Sequence, residues 1–150
     1  MGDFEALVFL LQLGIHPSPC QLNECMPLHL AVYYNQMPMV RLLLGRGADV
    51  RVRAKKWYFI NERSKFHPTP LDLAVRGQDT AMVELLINHL TQNKIVVAKS
   101  VIFRVLNYLH EQWLRCPKNI SHQETLSTMV GLLLAYVDLH RWAYDRRFLK

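Results

Sequence analysis

The chain has 150 residues, of which 51% are hydrophobic and 20% charged, a composition that excludes a disordered chain and fits one domain with a real core. No apolar run of about 18 residues is free of charge, so no membrane span is predicted. Asp3 and Glu5 stand where a signal peptide needs basic residues. Cys20, Cys25 and Cys116 are an odd number without a disulfide-framework spacing, which predicts the cytoplasm or, alternatively, the nucleus.

The net charge of +6 is concentrated in one stretch of the chain. Residues 51–65 carry six basic side chains against Glu62, a net charge of +5, whereas residues 1–50 carry a net charge of −2. A local patch of one sign indicates something about a partner rather than about the fold.

Two segments of the chain repeat one another at a spacing of 43 residues. Residues 26–50 read MPLHLAVYYNQMPMVRLLLGRGADV, and residues 69–90 read TPLDLAVRGQDTAMVELLINHL. The N-terminal residues align with the second half of the same unit at a spacing of 33 residues. Each unit is predicted to contain a short helix, a tight turn, a second helix and an extended arm.

Local signals place the helix ends within these units. Thr69 is predicted to cap a helix that begins at Pro70, with Asp72 completing a pair that resembles a capping box. Pro38 is predicted to open the second helix of its unit. Gly47 follows an apolar helix, where the backbone is predicted to turn left-handed.

The stretches MPLHLAV, MVRLLLGRGADV and TPLDLAV resemble the motifs of the ankyrin repeat family, and the resemblance extends over residues 2–90. It implies an all-α solenoid of stacked helix-turn-helix pairs with β-hairpin fingers, about 3.5 repeats long. On this interpretation the chain is a single ankyrin-repeat domain: a partial first repeat (1–25), a repeat with an extended finger (26–68), a further repeat (69–94) and a degenerate repeat or C-terminal helical cap (95–150).

Two longer helices are predicted in the C-terminal part. The first spans residues 95–114 and ends at Pro117, and its apolar face comprises Ile95, Ala98, Ile102, Val105, Leu109 and Trp113. The second is predicted to begin at the capping-box signature Ser121-His-Gln-Glu124. Its apolar positions are Leu126, Met129, Val130, Leu133, Leu134 and Val137.

The interval of 43 residues exceeds the interval of 33 by ten, and the excess falls between Val52 and Pro68. The resemblance places a finger there, so an enlarged finger is predicted at 51–68. Its partner-binding candidates are Arg53, Lys55, Lys56, Trp57 and Tyr58. Two interpretations of Trp57, Tyr58 and Phe59 stay open: they contact a partner, or they pack against the solenoid edge.

A second binding surface is implied by the resemblance, because ankyrin repeats contact partners through the inner face of the first helix of each unit. The corresponding positions are Tyr33, Tyr34 and Arg76, which we assign as partner-binding residues. The alternative is that a tyrosine packs against the neighbouring repeat.

Metal binding and catalysis find little support in the sequence. His16, Cys20, Cys25 and His29 have ligand-like spacing, but His29 occupies the position of the ankyrin histidine, which has a hydrogen-bonding role inside the repeat. No metal site and no cofactor are predicted. Cys116 has no base that sequence reasoning can pair with it, and no glycine-rich phosphate loop occurs, so no enzyme is predicted.

The sequence therefore predicts a non-catalytic protein-protein interaction module that binds a protein with an acidic surface, without contact to a membrane. The alternatives are nucleic-acid binding through the basic aromatic finger, a ubiquitin-ligase substrate adaptor that uses the C-terminal helices, and self-association through the finger. The chain begins in the middle of a unit, which is typical of a fragment of a longer protein or of a module that works beside one.

Overall fold

The computed structural model describes residues 27–54, 67–115 and 119–140. These residues form six α-helices and no strand, which confirms the all-α class. The chain divides into two compact units, 1–73 and 74–150. The helices are α1 (Pro27–Tyr33), α2 (Met37–Gly45), α3 (Pro70–Arg76), α4 (Thr80–Gln92), α5 (Lys99–Arg115) and α6 (Ile120–Leu139).

In the first unit, α1 and α2 pack against each other through one apolar face of each helix. The spacing of three or four residues between apolar positions places these side chains on one side of each helix. The buried apolar residues are Leu28, Ala31 and Val32 from α1, and Val40, Leu43 and Leu44 from α2. Pro38 occupies the first turn of α2, as predicted.

The turns that follow α1 and α3 have the same backbone geometry, although each lies in its own unit. Asn35 has φ 53° and Gln78 has φ 55°, both in the left-handed region. The next residue then donates its N–H five positions back, from Gln36 to the Ala31 oxygen at 2.8 Å and from Asp79 to the Ala74 oxygen at 3.4 Å. The 43-residue repeat seen in the sequence is therefore also a repeat of conformation.

The helices α2 and α4 end in the same way but differ in length by one turn. After the nine residues of α2, Gly47 has φ 84° and Ala48 donates to the Leu43 oxygen at 3.0 Å, which confirms the predicted left-handed turn. After the 13 residues of α4, Lys94 has φ 53° and Ile95 donates to the Leu90 oxygen at 2.8 Å. The sequence departs from the repeat at Leu90 because the helix continues there.

The capping pair at the start of α3 is confirmed. The backbone N–H and the hydroxyl of Thr69 both donate to Asp72 Oδ2, at 2.8 and 2.7 Å. The Asp72 N–H in turn approaches Thr69 Oγ1 at 3.3 Å. Both residues are buried, so the pair satisfies polar groups that water does not reach.

In the second unit, α6 packs against both α4 and α5. Buried side chains at helical spacing line all three helices. They are Met82, Val83, Leu86, Ile87 and Leu90 on α4, Val101, Ile102, Val105 and Leu109 on α5, and Leu126, Met129, Leu133 and Tyr136 on α6. Ala98, Trp113 and Leu134, which were predicted on the apolar faces, are exposed.

The predicted start of the helix at residue 95 is wrong, because α5 begins at Lys99. The Ile95 N–H belongs to the hydrogen bonds that end α4. The hydroxyl of Tyr136 donates to the Ile95 oxygen at 2.7 Å and accepts from the Val97 N–H at 2.9 Å. These bonds hold the segment in a non-helical conformation.

The predicted cap at Ser121 is also wrong. Asn119 caps α6 instead, and its side-chain oxygen accepts from the His122 N–H at 3.1 Å. Ser121 lies in the first turn of the helix, two residues after the cap.

Candidate functional site

The base of the predicted finger is closed by hydrogen bonds between its two arms. Ala54 donates its backbone N–H to the Pro68 oxygen at 2.9 Å, and His67 Nδ1 lies 3.1 Å from the Ala54 oxygen. A carbonyl oxygen only accepts, so Nδ1 of His67 carries the proton. The two arms therefore meet at Ala54 and Pro68, on either side of the residues 55–66.

Most of the finger candidates lie between these two points. Lys55, Lys56, Trp57 and Tyr58 fall outside the described residues. Arg53, the remaining finger candidate, is exposed next to the closed base.

His29 connects both arms of the finger base to α1. Its Nε2 lies 3.1 Å from the Val52 oxygen and 3.1 Å from the Pro68 oxygen, and the side chain is fully buried. Both partners only accept, so Nε2 donates to them. Burial in the core lowers the pKa of His29 to about 4, although the two carbonyl bonds act in the opposite direction. His29 is therefore neutral at pH 7 and has the hydrogen-bonding role that the sequence predicted.

The zinc hypothesis receives no support from the described residues. Among them, no group of three or more His, Cys, Asp and Glu side chains is arranged to hold a metal ion. His16, Cys20 and Cys25, the other proposed ligands, lie outside the described residues, as does Cys116. Nε2 of His29 is engaged with two carbonyl oxygens.

Asp49 offsets part of the basic charge next to the finger by pairing with Arg51, and this pairing was not predicted from the sequence. Two parallel bonds of 3.0 Å join Arg51 Nε to Asp49 Oδ1 and Arg51 Nη2 to Asp49 Oδ2. The Arg51 N–H adds a third bond of 2.9 Å to Oδ1. The side-chain bonds from Arg51 lower the pKa of Asp49, so the carboxylate remains charged at neutral pH. One of the six positive charges in 51–65 is thus already paired.

Tyr33 and Tyr34 form an exposed aromatic pair at the end of α1. Their ring centroids lie 5.2 Å apart with an interplanar angle of 83°, an edge-to-face arrangement. The side chains are 45% and 56% exposed. A pair of rings held in this way presents a large apolar area together with two hydroxyl groups.

Arg76 ends α3 at the position that corresponds to Tyr33 in the 43-residue repeat. Its side chain is exposed, and its Cζ lies 4.6 Å from the centroid of the Tyr108 ring on α5. This distance is within the range of a cation–π interaction. Tyr108 was not predicted from the sequence, because it lies 32 positions after Arg76 and no periodicity connects the two residues.

Among the residues that the structure describes, no helix has the length and apolar character needed to cross a membrane.

A family model described as ankyrin repeats (3 copies) matches residues 1–98. Searches of curated proteins and of solved structures returned no match. The helices α5 and α6 lie beyond the matched residues.

Proposed function

The chain belongs to the ankyrin repeat family, and on this basis we propose that it is a non-catalytic module that binds an acidic surface of a partner protein. Ankyrin repeats generally mediate protein-protein interaction. The partner contacts the finger, the end of α1 at Tyr33 and Tyr34 in the first unit, and the end of α3 at Arg76 in the second unit. The proposed contact residues are Tyr33, Tyr34, Arg53, Lys55, Lys56, Trp57, Tyr58 and Arg76.

The exposed pair of Tyr33 and Tyr34 is the observation that carries this proposal. Two aromatic side chains that are about half exposed leave apolar area in contact with water, and burying that area against a partner is favourable. The edge-to-face contact already restricts both rings, so docking costs little side-chain entropy. Tyrosine is among the residue types that most often act as anchors in interfaces.

The charge next to the finger supports an acidic partner. Residues 51–65 carry a net charge of +5, and pairing of Arg51 with Asp49 leaves the stretch 49–65 at +4. Such a field accelerates the encounter with a surface of opposite charge and weakens as salt is added. Exposed Arg53 stands at the described edge of this stretch.

A comparative capture experiment tests the proposal. We expect the variant Tyr33→Ala/Tyr34→Ala to bind its specific partner with about 10- to 100-fold lower affinity, because both anchors are removed. The matched control is Phe103→Ala/Trp113→Ala, which removes two aromatic side chains that are 68% and 42% exposed on α5. Quantitative mass spectrometry of proteins bound to each variant, at two salt concentrations, provides the measurement.

Recovery of the same proteins by the wild type and the tyrosine variant would contradict the proposal, and so would binding that does not respond to salt. A second variant tests the finger. It replaces residues 55–66 by a short Gly-Ser turn and retains Ala54 and Pro68, because those two residues close the base. Neutralising Arg53, Lys55 and Lys56 together is expected to weaken binding mainly at low salt.

A further inference from the structure

We propose that Arg76, Tyr108 and Arg104 form a subsite that binds a carboxylate of an acidic protein segment. Arg104 and Tyr108 lie on α5, beyond the residues that the family model matches. This inference rests on the proposed function, since it identifies residues in the second unit that would recognise the acidic partner. Neither Tyr108 nor Arg104 was predicted from the sequence as a binding residue.

The stacking of Arg76 on Tyr108 prepares the guanidinium group for a carboxylate. The Cζ atom lies over the Tyr108 ring, 4.6 Å from its centroid, so the ring holds the guanidinium group from one side. The N–H donors of arginine lie in the plane of the group, and two of them match the two oxygens of a carboxylate. Because the stack already restricts the side chain, a carboxylate that binds there immobilises little additional freedom.

Arg104 contributes a second positive charge on the same face of α5. It precedes Tyr108 by four residues, and residues four apart on a helix are neighbours. Its side chain is half-exposed. Glu111 follows Tyr108 by three residues and places one negative charge at the far end of this face. Arg104 and Arg76 therefore both neighbour Tyr108, while the negative charge of Glu111 lies one turn further along α5.

The charge balance of the second unit favours an acidic protein segment over nucleic acid. Its described residues, 74–115 and 119–140, contain five basic and five acidic side chains. Nucleic acid is held by basic groups that contact several successive phosphates, and this requires an extended positive surface. Two arginines that each neighbour Tyr108 suit a single acidic group within a protein chain.

Titration of the full chain with a 12-residue peptide rich in Glu and Asp tests the subsite. The Nε–Hε resonances of Arg76 and Arg104, observed by NMR in isotope-labelled protein, are expected to shift with the peptide. We expect Arg76→Gln to weaken binding about tenfold, since a charged bidentate contact is lost. Arg76→Lys is expected to weaken it as well, because the ammonium lacks the planar fork.

Substitutions of Tyr108 and of Glu111 test the subsite further. Tyr108→Phe keeps the aromatic face and should bind as the wild type does, whereas Tyr108→Leu should bind more weakly. Glu111→Gln should bind about twofold more tightly, because a repelling charge is removed. The matched control is Arg41→Gln on α2, which removes an exposed positive charge from the first unit and should change affinity less than twofold.

Equal losses in Arg76→Gln and Arg41→Gln would overturn the proposal, since the peptide would then respond only to total charge. Tighter binding of a single-stranded oligonucleotide of equal charge would also overturn it. If the Arg76 and Tyr108 variants change nothing while Tyr33→Ala/Tyr34→Ala still loses its captured partner, the subsite is refuted and the proposed function stands. If the Arg76 variants lose peptide binding while Tyr33→Ala/Tyr34→Ala captures its partner normally, the subsite stands and the proposed role of the tyrosine pair is refuted.

Discussion

The two units hold their backbone in different ways. In the first unit, residues of the repeat motif itself hold the backbone. His29 binds both arms of the finger base, and Gly47 supplies the left-handed turn. In the second unit Tyr136 reaches the backbone at Ile95, 41 residues away, and Lys94 takes the left-handed turn without being glycine. Both units therefore use a side chain that binds backbone about 40 residues away, but in the first unit it is a histidine of the repeat motif, whereas in the second unit it is Tyr136, which no repeat motif marks.

The largest expected effect concerns His29 in the first unit. Its pKa is about 4 in the folded protein, lowered from the ordinary 6.5 by burial. Between these values the unfolded chain binds more protons than the folded chain, so this contribution is complete above pH 6.5 and is lost as the pH falls to 4. The loss amounts to about 3 kcal/mol in the free energy of unfolding.

Urea unfolding at a series of pH values measures this effect. The control is His29→Gln, which retains an N–H donor but does not titrate in this range. Wild type and variant should converge in stability as the pH falls. Parallel profiles for the two proteins would show that His29 is not held neutral.

The second largest effect is expected from Tyr136→Phe in the second unit. The hydroxyl makes two bonds, to the Ile95 oxygen and from the Val97 N–H, and Val97 is buried. Removing it leaves backbone groups without this partner, at a cost of about 2 kcal/mol in the free energy of unfolding. Tyr108→Phe removes a hydroxyl from a half-exposed ring of the same unit and should cost less than about 0.5 kcal/mol. Equal losses in the two variants, measured by urea unfolding, would contradict this account of the segment 95–98.

A smaller effect is expected at Gly47 and Lys94, the left-handed residues that follow α2 and α4. Opposite substitutions at these two positions test it. Gly47→Ala should destabilise the protein by about 1 kcal/mol, because alanine is strained at φ 84° although its Cβ would meet nothing within 4 Å. Lys94→Gly should stabilise it by about 1 kcal/mol, because the strain at φ 53° is relieved. Gly45→Ala is the control, since Gly45 is helical and its Cβ also meets nothing. It should be neutral or slightly stabilising in thermal unfolding, and a loss equal to that of Gly47→Ala would refute the explanation.

The smallest effect is expected for the ion pair at the finger base. Asp49→Asn breaks the paired bonds with Arg51, but both side chains are accessible to solvent, so stability should change by less than about 1 kcal/mol. Thermal unfolding at low and high salt provides the check, and the difference should shrink as salt is added. A larger loss that persists at high salt would show that the pair holds the base together.

Local chemistry made the first helices predictable. Thr69 with Asp72 is a capping pair three residues apart, and Gly47 needs no partner to adopt a left-handed turn. Pro38 fits the first turn of a helix because it lacks an N–H that would need a partner there. Each of these signals acts within a few residues, so the sequence displays it directly.

The sequence-based predictions were wrong or incomplete where distant or competing contacts decide the structure. Ile95 continues the apolar spacing of α5, but its N–H ends α4 and its oxygen binds Tyr136. Asn119 and Ser121 are both good caps, and the earlier residue caps the helix because its oxygen reaches the His122 N–H. Stacking of Arg76 on Tyr108 likewise depends on tertiary structure.

The closed base at Ala54 and Pro68 has a consequence for engineering and for divergence among related chains. Because the two arms bind each other and His29, a segment inserted between them begins and ends at fixed points. Each doubling of such a segment adds only about 0.6 kcal/mol of closure entropy. The position is therefore suited to grafting, where a foreign recognition sequence replaces the native one while the helices that support it are left untouched.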